Sequence, residues 1–90
     1  MRYCIEYINP QYPLLYNGML HVCHLRVPDE HSAEMALTIM LSLGAKIYSL
    51  YRGNAKEGKL GEWPTPMIVD THDWYSEEWL RDILERGSKL

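Results

Sequence analysis

Apolar and polar residues alternate along two stretches near the start of the chain, and both patterns predict β-strands. Every second side chain is apolar in residues 2–8, and the same alternation recurs in residues 23–27 of the stretch 19–27, which is typical of strands with one buried face. Asn17-Gly18 precedes the second stretch and favours a two-residue hairpin turn, because a type I′ turn needs positive φ at both positions. The predicted inward-facing residues are Tyr3, Ile5, Tyr7, Cys23, Leu25 and Val27.

The spacing of apolar residues changes to a helical period after Pro28. Asp29 or Ser32 is the predicted N-cap of this helix, and Gly44 is its predicted end. A projection at 100° per residue places most of its apolar residues on one broad face. That face consists of Ala33, Ala36, Leu37, Met40, Leu41 and Leu43. Met35 and Ile39 fall outside it, so we expect the C-terminal segment to cover them, or a second copy to use them as an oligomer surface.

Three further elements complete the predicted fold. Residues 46–52 predict a strand, residues 67–70 a short fourth strand, and residues 76–87 a second helix with an apolar face. The order β-β-α-β-(β)-α predicts an α+β fold with a small, mainly antiparallel sheet of three to four strands and two helices. We expect one domain over 1–90, with a flexible loop at 53–66.

The last three residues, Ser88-Lys89-Leu90, match a peroxisomal address. They also fit a disordered tail or a cloning remnant, which are the interpretations we favour.

Charge is distributed unevenly along the chain. The net charge is −3, but residues 1–69 hold six acidic and six basic residues, whereas residues 70–86 hold six acidic and two basic ones. This balance argues against a nucleic-acid partner and favours a protein partner with a basic surface. The longest apolar run is shorter than the ~20 residues of a membrane span. With two cysteines and no evident signal peptide, we expect a cytoplasmic protein.

Two groups of residues contain metal-ligand chemistry. His21, Cys23 and His24 have poor zinc spacing, because a strand directs His24 away from the other two. Asp70, His72 and Asp73 lie at the end of the fourth strand, and this Asp-x-His pattern resembles the first ligand motif of metal-dependent phosphoesterases. The competing interpretations make Asp73 the cap of the last helix or Asp70 a turn residue. We expect no metal, no cofactor and no enzyme activity, with a small metal-dependent hydrolase as the alternative.

Aromatic residues in or beside predicted loops indicate contact surfaces, because interface energy concentrates in such side chains. One predicted partner-binding surface lies in the segment before the hairpin turn. The other is the acidic C-terminal segment. Their predicted contact residues are Tyr12, Leu14, Tyr16, Asp73, Trp74, Glu77, Glu78 and Asp82.

The stretch LHVCHLRVPDEHSAEMALTIMLSLGAKIYSLYRG, residues 20–53, covers about a third of the chain. Its strand–helix–strand layout resembles the core of small phage-encoded proteins that disable host machinery, such as anti-CRISPR proteins and inhibitors of host RNA polymerase. The resemblance rests on layout and transfers no site residue. It implies a non-catalytic, stoichiometric inhibitor that binds a host protein in the host cytoplasm.

Overall fold

The computed structural model describes residues 2–12, 15–16, 19–53 and 67–87. In strand residues 15–16, 19–20 and 67–69 it describes the backbone and not the side chains. The predicted loop beyond Gly53 and the last three residues lie outside the described residues. The elements are β1 (Tyr3–Ile8), β2 (Leu15–Tyr16), β3 (Met19–Val27), α1 (Glu30–Ser42), β4 (Lys46–Arg52), β5 (Met67–Asp73) and α2 (Glu77–Arg86).

The strands form one mixed sheet. β1 pairs antiparallel with both β3 and β4, and β5 pairs parallel with β3. Leu20 is paired with Leu15 of β2 and with Met67 of β5, so β2 and β5 lie on opposite edges of β3. β2 therefore pairs with the same edge of β3 as β1 does. Across the sheet the strands lie in the order β4, β1, β3, β5, with β2 beside β3 on the β1 side. The predicted α+β class and the order of the elements are confirmed.

The register of the first hairpin agrees with the turn that the sequence predicts. Tyr16 is the partner of Met19, and this pairing leaves two residues between the strands, the length of a tight hairpin loop. Those two residues, Asn17 and Gly18, lie outside the described residues.

The main core lies between the two helices and one face of the sheet. The inward residues predicted for β1 and β3 all belong to it. The expectation that β1 is half-buried is wrong, because β1 is a central strand whose other face is also buried. Cys4 and Glu6 on that second face are 1% and 3% exposed.

Helix α1 begins and ends where the sequence predicts. The Asp29 carboxylate accepts a hydrogen bond from the Ser32 N–H at 2.7 Å, and this bond holds the pKa of Asp29 below its usual value. Gly44 follows the helix with φ +85°, a conformation that disfavours other residues.

The buried face of α1 differs from the predicted one. Ile39 is 4% exposed and belongs to the core, whereas Leu41 is 66% exposed. The projection failed here because it took no account of α2, which packs against α1. Helix α2 packs against α1, as predicted for the C-terminal segment. Of the two residues predicted as a possible oligomer surface, Ile39 is buried and Met35 is half-buried.

Helix α2 is capped by Ser76 at its N-terminus and by Gly87 at its C-terminus. The Ser76 hydroxyl accepts a hydrogen bond from the Trp79 N–H at 3.1 Å, so the interpretation of Asp73 as the cap is wrong. At the other end, the Ile83 carbonyl accepts from the Gly87 N–H and from the buried Asn9 side-chain amide at 2.7 Å. In the described part of the chain, neither helix has the length and hydrophobicity needed to span a membrane.

Candidate functional site

A groove with a volume of about 300 Å³ runs between the two helices. The half-buried Met35 and the buried Ile39 are its apolar lining, and the exposed Glu34, Glu77 and Arg81 border it. The sequence places Met35 and Ile39 on one predicted surface and Glu77 on another. The packing of α2 on α1 brings them into the same groove.

The outer surface of α2 is acidic. Its exposed charged residues are Glu77, Glu78, Arg81, Asp82, Glu85 and Arg86. These are four acids and two bases, so the helix has a net charge of −2. Asp82 and Arg86 form an exposed ion pair with an N–O distance of 3.2 Å, and such pairs contribute little to stability. Of these residues, Glu77 and Arg81 line the groove.

Asp73 and Trp74 lie apart from the groove. The Arg26 guanidinium donates to the Asp73 carboxylate at 2.8 and 3.4 Å, so the charge of Asp73 is locally compensated. The half-buried Trp74 packs against the core and lines a smaller pocket of about 150 Å³ together with Arg2. The predicted C-terminal contact surface is therefore divided between two locations.

Tyr12 packs over the sheet at the other predicted contact surface. Its ring stacks on the His21 ring with centroids 4.2 Å apart and an interplanar angle of 23°. The Asn9 carbonyl accepts a hydrogen bond from the Tyr12 N–H at 3.1 Å, which fixes the chain where it leaves β1. Leu14 and the side chain of Tyr16 lie outside the described residues.

Three potential metal ligands meet on the helix-bearing face of β3 and β5. The donor atoms of His21, Cys23 and Asp70 all lie within 4.8 Å of one another. The parallel register pairs Cys23 with Asp70 and Leu25 with His72. His21 lies two residues before Cys23 on β3, so it shares one face of the sheet with Cys23, Asp70 and His72. The interpretation of Asp70 as a turn residue is wrong, because it lies within β5.

Two histidine nitrogens lie close to one carboxylate oxygen of Asp70, but neither forms a hydrogen bond with it. Its Oδ2 atom lies 3.8 Å from His21 Nε2 and 3.4 Å from His72 Nε2. His21 Nε2, Asp70 Oδ2 and the Tyr7 hydroxyl are buried without a hydrogen-bond partner among the described residues. Burial, followed by the charge of Asp70, raises the pKa of the Cys23 thiol to about 12, and burial also raises the pKa of Tyr7.

A second polar cluster occupies the opposite face of the sheet. Glu6 and His24 are cross-strand partners, and they are 3% and 2% exposed. The Tyr51 hydroxyl donates to Glu6 Oε2 at 3.3 Å. Burial raises the pKa of Glu6, whereas burial and then the charge of Arg26 lower the pKa of His24 to about 4. His24 points away from His21 and Cys23, as predicted, but it is buried and not at the surface.

The sequence separates the residues that the parallel pairing of β3 and β5 brings together. His21-x-Cys23 and Asp70-x-His72 are matching two-residue repeats, and each repeat puts its two donors on one face of a strand. The shared period is a signal for a joint site, but it predicts one only when the register of β5 on β3 is known. Asp73 falls outside the joint site because it faces the other side of the sheet and binds Arg26.

Comparison of the chain with protein-family models, with curated proteins and with solved structures gives no match.

Proposed function

We propose that this protein is a non-catalytic interaction module that binds a basic segment of a partner protein in the groove between α1 and α2. One observation supports this most directly: the half-buried Met35 and the buried Ile39 line the groove together with the carboxylates of Glu34 and Glu77, and Arg81 is the basic residue beside them. A lysine or arginine side chain has the complementary shape, because its aliphatic stem packs on apolar surface while its charge meets carboxylates.

The acidic surface of α2 supports the same class of partner. Exposed charges contribute mainly to association rate and specificity, so the net charge of α2 would attract a basic segment toward the groove. The apolar part of the groove would then supply the short-range contacts, because burial of apolar area stabilises a complex by about 25 cal/mol per Å² before the costs of association.

The resemblance of residues 20–53 to phage-encoded inhibitors supports a partner of a particular kind. Host machines that handle nucleic acid carry basic surfaces, and a small acidic module that covers such a surface would block it. Within this proposal the protein acts in the host cytoplasm. Its two buried cysteines are free, which is compatible with a reducing compartment.

The proposal is tested with a fluorescent 12-residue peptide of alternating lysine and leucine as the partner mimic. The Glu77→Lys substitution is expected to weaken peptide binding about tenfold, which corresponds to about 1.4 kcal/mol. Glu78→Lys is the matched control, because Glu78 is also exposed in the first turn of α2 but does not line the groove. Glu78→Lys and Glu77→Lys change the net charge by the same amount and have the same effect on the charge near the N-terminus of the helix dipole.

Equal weakening by both substitutions would show that only overall charge attracts the peptide, and this result would contradict binding in the groove. Met35→Ser adds a second test, since it removes apolar surface without changing the charge. It is expected to weaken binding several-fold at any salt concentration, whereas the effect of Glu77→Lys should decrease as salt screens it.

A metal-dependent hydrolase is the second candidate function, and the position of Asp70 and His72 beside His21 favours it. Catalytic zinc sites have three protein ligands and one open position. Asp70 and His72 keep 20% and 25% of their side-chain surface exposed, so a substrate could approach this side. Hydrolysis of a generic phosphodiester that requires Zn²⁺ and is lost in Asp70→Asn would support this candidate, and inactivity at all metal concentrations would exclude it.

A further inference from the structure

We propose that His21, Cys23 and Asp70 bind one divalent cation of the zinc class. This inference is independent of the groove and of the partner, because the three donors lie on the face of β3 and β5 beside Tyr12 and Trp79.

The spacing of the donor atoms is slightly wider than that of a tetrahedral site. With metal–ligand bonds of about 2.0–2.3 Å, ligand atoms around zinc lie roughly 3.3–3.8 Å apart. His21 Nε2 and Asp70 Oδ2 are 3.8 Å apart, and all three donors fit within 4.8 Å. Small side-chain rotations would therefore complete the coordination, with no rearrangement of the strands.

The burial of these atoms is costly without a ligand. His21 is 2% exposed, and neither its Nε2 atom nor Asp70 Oδ2 has a hydrogen-bond partner among the described residues. A buried polar atom without a partner retains its full desolvation penalty. A cation between these two atoms would satisfy both of them at once.

Charge balance favours a divalent cation. Binding displaces the proton of the Cys23 thiol to solvent, so the thiolate and the Asp70 carboxylate contribute two negative charges, which the cation neutralises. A nitrogen, a sulfur and a carboxylate oxygen suit Zn²⁺ or Co²⁺, whereas Mg²⁺ and Ca²⁺ prefer oxygen ligands alone.

The surroundings hold the donors in place. Tyr12 stacks on the His21 ring, and the ring of Trp79 meets the His72 ring edge-on at 5.6 Å. His72 Nε2 lies 3.4 Å from the same Asp70 oxygen, next to the position where a cation would bind. The contact of Tyr12 with His21 orients a proposed ligand, and contacts that orient the ligands favour metal binding.

Cobalt absorption tests the site directly in the full chain. After treatment with a chelator, the chain is titrated with Co²⁺. We expect a thiolate-to-cobalt charge-transfer band and visible d–d bands that saturate at one Co²⁺ per chain and disappear when Zn²⁺ is added. Zn²⁺ at about a hundredfold excess over Kd is expected to raise Tm by roughly 10–20 °C, while Mg²⁺ leaves Tm unchanged.

Matched variants identify the ligands. Cys23→Ser is expected to abolish the charge-transfer band, whereas Cys4→Ser keeps it, because Cys4 is equally buried but lies on the other face of the sheet. Asp70→Asn is expected to weaken Co²⁺ binding at least tenfold, and Asp73→Asn to leave it unchanged, because Asp73 binds Arg26.

Two results would overturn the proposal. One is a wild-type chain that shows no charge-transfer band and has the same Tm with Zn²⁺ as with chelator. The other is a band that persists in Cys23→Ser. The wild-type titration needs no variant to fold, and neither result depends on peptide binding in the groove.

Discussion

Acidification is expected to destabilise this fold through His24. The side chain is 2% exposed, and its pKa is lowered from 6.5 to about 4 by burial and by the charge of Arg26. Between these values the unfolded chain binds a proton that the folded chain does not. The contribution of His24 to stability is therefore intact above pH 6.5 and is lost as the pH falls toward 4.

The size of the effect follows from the pKa difference. Each unit of difference between the unfolded-state and folded-state pKa corresponds to about 1.4 kcal/mol. The pKa of His24 is 6.5 in the unfolded chain and about 4 in the folded one, so a fall in pH over that interval removes about 3 kcal/mol of stability. Glu6, the cross-strand partner of His24, acts in the opposite direction. Its pKa is raised, so the folded state retains the Glu6 proton more strongly, and acidification above pH 4.5 favours folding through this group.

Urea unfolding between pH 4 and 7.5 separates the two groups. The difference in unfolding free energy between wild type and His24→Gln isolates His24, because Glu6 is present in both chains. We expect this difference to shift by about 3 kcal/mol over the interval, in favour of the variant at low pH. His31→Gln is the control, because it removes an exposed histidine. A pH-independent difference for His24→Gln would refute the reasoning.

Four further substitutions test the fold by urea unfolding. Asn9→Ala removes the bond to the Ile83 carbonyl and is expected to cost about 1–3 kcal/mol; a neutral effect would contradict the role of this contact. Leu80→Ala, at a residue with no exposed surface, is expected to cost about 2–5 kcal/mol. Leu41→Ala, at a 66% exposed residue, is expected to change stability by less than about 0.5 kcal/mol, and similar costs at both leucines would contradict the burial of Leu80 and the exposure of Leu41. Ser76→Ala is expected to cost about 1 kcal/mol because it removes the N-cap of α2, and unchanged stability would contradict that role.

Local patterns were sufficient to predict the elements. Alternation identified β1 and β3 and their inward faces, because the side-chain period of a strand is independent of its neighbours. The caps of α1 at Asp29 and Gly44 followed from the same kind of local chemistry. The burial of both faces of β1 did not follow from local patterns, because it depends on the central position of that strand in the sheet.

The candidate sites depend on contacts between distant elements. His21 and Asp70 are far apart in the sequence, and only the parallel register of β5 on β3 makes them neighbours. In the same way, Ile39 and Glu77 share a groove only because α2 packs against α1. A projection of a single helix contains no information about that packing.

Chemical-shift mapping of the ¹⁵N-labelled chain with the lysine–leucine peptide tests the proposed function most directly. We expect the largest amide shifts at Glu34, Met35, Thr38, Glu77 and Arg81, the residues around the groove. Shifts that instead cluster at the exposed Tyr48 and Leu50 of β4, with none around the groove, would contradict the proposal.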